Sequence, residues 1–100
     1  MERRTRFDRV LLIEDLDLLE RKDPGVLYID GRGKEPLFVA FICPCGCELP
    51  CTLPTRQTGA AHPVWQVVYK DGKITIDPSI RRQGACNAHF WIKENKVEWC

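Results

Sequence analysis

The chain has 100 residues, 15 basic and 14 acidic side chains, and a formal net charge of +1. That length holds one small domain with a modest core, which a metal or disulfide staple would strengthen. The near-neutral charge argues against a general nucleic-acid binder, which carries a broad basic excess.

The N-terminal stretch MERRTRFDRVLLIEDLDLLER combines basic residues with an apolar run that is uninterrupted only from Val10 to Ile13. It has neither the h-region of a signal peptide nor the length of a membrane span. The cytoplasm, where cysteines stay reduced, is the expected compartment. Arg3, Arg4 and Arg6 read as a solvated terminus. Leu12, Leu16 and Leu19 share a helical face that Asp8 would cap, yet Val10–Ile13 is equally a short buried strand. Residues 1–22 are therefore set apart as an N-terminal extension, helix or strand, ahead of a β domain at 23–100.

Lys22-Asp23-Pro24-Gly25 reads as a turn. Val26–Asp30 then reads as a strand, and Leu37–Ile42 as a strand buried on both faces that runs into Cys43. Residues 48–53 form a return strand whose Pro50 suits a sheet edge. Residues 54–63 read as a mobile loop. Two β-rich runs flank Asp71-Gly72, a favoured type I′ pair, and predict a hairpin. Residues 77–85 read as a loop leading to Cys86, and 89–99 as a second hairpin around Glu94-Asn95. Hairpins with little helix predict a mainly β, antiparallel domain. Trp65, Phe90, Trp91 and Trp99 fall in these strands as core fillers, with at least one tryptophan free to anchor a protein partner.

The chemistry concentrates in cysteines. Cys43, Cys45 and Cys47 alternate along FICPCGCEL, and Cys86-x-x-His89 stands some forty residues later. Two short-spaced ligand groups on separate loops are the signature of a structural zinc site, and the expected metal ligands are Cys43, Cys45, Cys47, Cys86 and His89. A mononuclear tetrahedral site needs four of these five, so one of the first three cysteines is expected to be spare, with all three pairings open. Disulfides fit less well, because cysteines at i and i+2 rarely bridge one another. A Rieske cluster needs two histidines on one iron, and the only other histidine, His62, lies outside both loops. A different iron–sulfur ligation remains open on spacing.

Cys51 reads as a core residue and Cys100 as incidental. Ser79 would need a base and an oxyanion hole to act as a nucleophile, and the sequence identifies neither. A binding module is favoured. The competing readings are an enzyme using a spare thiol or a zinc-bound water, with Glu48 as the nearest base, and an iron–sulfur redox protein.

From Gly25 to Trp99, the order LYID, FICPCGCEL, DGKITIDPSI and CNAHFWIKENKVEW resembles a family of small bacterial zinc-binding proteins of unknown biochemical function. Some of its members are encoded near ubiquitin-like conjugation genes. The resemblance implies a zinc-stapled β domain with an accessory role in protein modification and a protein partner. This chain departs from the pattern at Glu48, where many members carry glycine, and in the segment before Pro24.

Overall fold

A computed structural model describes residues 3–14, 19, 21–30, 36–61 and 63–100. Two four-stranded sheets follow one another along the chain. The first contains β1 (Arg9–Ile13), β2 (Val26–Asp30), β3 (Phe38–Ile42) and β4 (Pro50–Pro54), side by side in that order. The second contains β5 (Gln66–Lys70), β6 (Lys73–Arg81), β7 (His89–Lys93) and β8 (Lys96–Trp99), again in chain order.

Over Arg9–Ile13 the ambiguity is resolved in favour of a strand, while Leu16 of the alternative helical face lies outside the described residues. β1 pairs in parallel with β2, Arg9 opposite Val26 and Ile13 opposite Asp30, and among the described residues the other strand-to-strand ladders are antiparallel. Phe7, just before β1, is buried in the main core, so this segment adds both an edge strand and a core aromatic. Pro50 opens β4, which among the described residues pairs only with β3 at the end of the sheet order, where a missing N–H is tolerated.

Alternation places Leu27, Ile29, Val39, Phe41 and Leu53 of the first sheet in one cluster with Ile74, Ile76, Ile80, Phe90, Ile92 and Val97 of the second. Phe41 joins the two halves, edge-on to Phe7 at 5.4 Å and to Phe90 at 6.3 Å between ring centroids. β2 is buried throughout, because its opposite face packs Val26 and Tyr28 against Ala40, with Ile13 and Leu19 partly covering them. Phe41→Ala, which empties a fully buried site, is expected to lower unfolding free energy by about 3–5 kcal/mol in denaturant titration.

The two hairpin turns follow the predicted chemistry. Asp71 and Gly72 have φ of 53° and 76°, and Glu94 and Asn95 have 49° and 67°, the left-handed pairs that a two-residue type I′ turn requires. Asn95 ties the turns together: its Oδ1 accepts from Ile74 N at 2.7 Å and its Nδ2 donates to Gly72 O at 3.3 Å.

One predicted loop belongs to a strand. Residues 77–81 continue β6, and the register against β7 shifts between Ile76, opposite Ile92, and Ile80, opposite Phe90. Four residues of β6 thus span two of β7, and the two extra residues bulge outward around exposed Asp77 and Pro78. An even insertion preserves the side-chain alternation, so Ile80 still faces the core and Ser79 and Arg81 stay on the outer face.

In the segment read as a mobile loop, Arg56–Thr58 forms a short 3-10 turn. Buried Thr55 organises it, its hydroxyl donating to Pro36 O at 2.8 Å and accepting from Gln57 N at 3.2 Å. His62 lies outside the described residues.

Candidate metal centre and serine–histidine pair

Strand β3 delivers Cys43, almost fully buried, to a turn over residues 44–47 that Cys43 N closes by donating to Leu49 O at 2.9 Å. Gly46 and Glu48 have φ of 95° and 65°. Glu48 therefore occupies the left-handed backbone where glycine is preferred. The turn aims three thiols inward. The second contribution comes from the 82–88 connection between β6 and β7, which carries Cys86.

The Sγ atoms of Cys43, Cys45, Cys47 and Cys86 all lie within 4.8 Å of one another. Cys43 Sγ is 3.5 Å from Cys45 Sγ and 3.6 Å from Cys86 Sγ. Four sulfurs at about 2.3 Å from a tetrahedral ion would stand about 3.8 Å apart, close to this spacing. Each sulfur also faces the amide two residues on: Cys45 Sγ accepts from Cys47 N at 3.4 Å and Cys47 Sγ from Leu49 N at 3.5 Å. The amides of Cys45 and Ala88 serve Cys43 and Cys86 in the same way. Such donors favour the thiolate form that binds metal.

The cluster's protons are unevenly held. Burial pushes the Cys43 thiol well up, and burial also raises Cys45. At Cys86 burial acts in the same sense, but the Ala88 amide and the Cys45, Cys43 and Cys47 thiols outweigh it and bring the thiol down to about 7. One thiolate thus collects hydrogen bonds from its neighbours, leaving a soft donor set ready for a cation.

Arg82 supplies the surroundings. Its backbone N donates to Ala88 O at 2.8 Å and its carbonyl accepts from Asn87 N at 2.9 Å, closing the Cys86 loop. Its Nη2 donates to Pro50 O at 3.3 Å, while its Nη1 is buried with no hydrogen-bond partner. The guanidinium acts on the neighbouring Cys51, where its charge and hydrogen bonding oppose the rise that burial imposes on that thiol. The residues fit a thiolate-bound metal ion. All three cysteines of the first loop join the group, together with Cys86, so no thiol of this loop stands apart as a spare. Cys51 is buried in the core and Cys100 is exposed.

His89 does not belong to the four-thiol group. It lies at the start of β7 on the outer face of the second sheet, directly opposite Arg81 in register. Ser79 stands two residues before Arg81 and is therefore the diagonal neighbour of His89 on the same face. Ser79 Oγ lies 2.9 Å from His89 Nε2, and Arg81 Nη2 lies 3.3 Å from His89 Nδ1. The Trp65 indole N–H donates to Ser79 O at 3.3 Å, anchoring the strand behind the hydroxyl. A histidine within hydrogen-bond reach of Ser79, which sequence alone did not identify, is thus present. Ser79 is the only serine in the chain, and it and His89 flank the 82–88 connection, but only the continuation of β6 through Pro78 brings them together. Glu48 is exposed, with no described contact to this pair.

A mainly β fold with a four-cysteine group able to hold a metal ion, and a Ser–His pair on the adjoining hairpin, defines the class of this protein. Residues 13–100 match the family described as bacterial ubiquitination-like system serine protease (BubE), and the chain belongs to that family. Membership links it to a bacterial ubiquitin-like conjugation system, as the family resemblance implied. Comparison with curated proteins and with solved structures finds no match. Among the described residues, no helix is long and apolar enough to cross a membrane.

Proposed function

We propose that this protein is a serine hydrolase that cleaves peptide or isopeptide bonds at the C-terminus of a ubiquitin-like protein. The observation that carries the reading is the 2.9 Å contact between His89 Nε2 and the hydroxyl of the chain's only serine, in a member of a family described as serine proteases. Ser79 attacks the scissile carbonyl as His89 Nε2 takes the hydroxyl proton. The C–N bond then breaks and Nε2 passes that proton to the leaving amine, leaving an ester on Ser79. Water, deprotonated by His89, hydrolyses the ester and restores the hydroxyl.

The metal of this reading is one structural zinc held by Cys43, Cys45, Cys47 and Cys86, a closed all-sulfur set with no position for a reacting water. His89 is thereby left for chemistry. The staple acts on the site through the chain: Cys86 fixes the connection whose two ends carry Ser79 and His89. The partner is the ubiquitin-like protein itself, and the cytoplasm is the compartment assigned to the reaction.

The test is cleavage of the system's ubiquitin-like protein carrying a C-terminal fusion. Wild type is expected to release the fusion at that junction, and Ser79→Ala is expected to leave it intact. Cleavage by Ser79→Ala at the wild-type rate would overturn the reading.

A further inference from the structure

The hydrogen-bond order around His89 differs from that of a ready serine–histidine pair. A general base must present an unprotonated Nε2 to the serine hydroxyl, which in a neutral imidazole places the proton on Nδ1. Here the neighbour of Nδ1 is the Arg81 guanidinium, at 3.3 Å. A guanidinium only donates, so Nδ1 must be the acceptor in this contact. The proton of a neutral His89 is then on Nε2, and at 2.9 Å Ser79 Oγ is the acceptor rather than the donor. In this arrangement His89 cannot take the serine proton.

Arg81 is able to leave. It is exposed at the end of β6, and no ion pair ties it to a carboxylate among the described residues. A carboxylate beside it would form the charge-assisted, two-pronged contact that arginine favours, which is stronger than a single hydrogen bond to imidazole.

We propose that Arg81 makes the site selective for protein substrates with an acidic side chain beside the scissile bond: the guanidinium holds His89 in the Nε2–H tautomer until that carboxylate draws it away. With Nδ1 freed, it takes a proton from water and Nε2 returns one, leaving net charge unchanged. Nε2 then faces Ser79 as an acceptor. Arg81 is a positioning residue acting through His89 and, in the substrate complex, the reader of the acidic group. The proposal rests on the Ser79–His89 hydrolase reading and names its substrate class.

The test uses the full metal-loaded chain, labelled with nitrogen-15 in histidine. Spectra are recorded above the ordinary imidazole range, with His62 signals assigned through His62→Asn. The free wild type is expected to show His89 protonated on Nε2, and Arg81→Ala to shift it toward Nδ1. A neutral fluorophosphonate should label Ser79 several-fold faster in Arg81→Ala than in wild type. In fusion substrates, Glu beside the cleaved bond should raise wild-type kcat/KM about 10-fold over Gln, with Arg81→Ala erasing the difference.

A wild-type His89 already protonated on Nδ1, a tautomer unchanged in Arg81→Ala, or equal cleavage of the Glu and Gln substrates by wild type would overturn the proposal. If Ser79 is labelled in both proteins while the tautomer stays fixed, the Arg81 proposal alone fails. If the tautomer switches but Ser79 is labelled in neither, the hydrolase reading fails, and with it the acidic-substrate selectivity.

Discussion

Ser79→Ala is expected to lower kcat/KM for cleavage of a ubiquitin-like fusion by about 10³-fold or more, to the level left by substrate binding alone. His89→Ala should cost about as much, because an alkoxide equivalent forms at neutral pH only if the imidazole takes the hydroxyl proton as the bond to carbon develops. The double variant should be no worse than either single one, since the two groups act as a unit. Ser79 and His89 are only half-buried on the outer face of the sheet, so neither substitution removes core packing. Their melting temperatures should therefore match wild type within a few degrees. A loss of activity with unchanged stability separates chemistry from folding, and a steady-state comparison with thermal unfolding measures both.

The second large effect is on stability. Cys86→Ser removes one of four sulfurs and the only one that joins the 82–88 connection to the turn after β3. Structural zinc sites in small peptides supply roughly 10–16 kcal/mol of apparent binding energy, so losing even part of it matters in a 100-residue chain. At about 4–8 °C per kcal/mol for a domain of this size, the melting temperature should fall by about 15 °C or more, with loss of stoichiometric metal in elemental analysis. Cys100→Ser, at an exposed position, should leave both unchanged. Activity should decline with the metal as well, because the connection between Ser79 and His89 is then no longer held. Retention of one metal per chain and wild-type stability by Cys86→Ser would show that the four thiols are not a metal centre.

Much of the fold is legible in local chemistry. Asp71-Gly72 and Glu94-Asn95 announce their turns because few residues tolerate two successive left-handed backbones, and alternation around them identifies the inner face of the second sheet. The thiol group is legible for a similar reason: three alternate cysteines bracketing Gly46 on a tight turn have few uses other than metal ligation. The rest depended on pairing. The parallel contact of β1 with β2 joins residues 17 positions apart, Arg9 with Val26, and neither strand's own pattern encodes it. Asp77-Pro78 reads locally as a loop, yet β6 absorbs both residues in a bulge and runs on to Arg81. Without that register Ser79 has no visible base. His89 stands three residues after Cys86, the spacing of a zinc pair, so ligand chemistry explains it before catalysis does. The backbone of β7 turns its side chain toward Ser79 on the outer face instead.

The most direct measurement is covalent labelling of the metal-loaded protein with a fluorophosphonate, followed by intact-mass analysis and peptide mapping. One adduct per chain, on Ser79 and lost in His89→Ala, is the expected result. A Ser79 left unlabelled in both wild type and Arg81→Ala, or an adduct formed as fast without His89 as with it, would contradict a Ser79–His89 hydrolase.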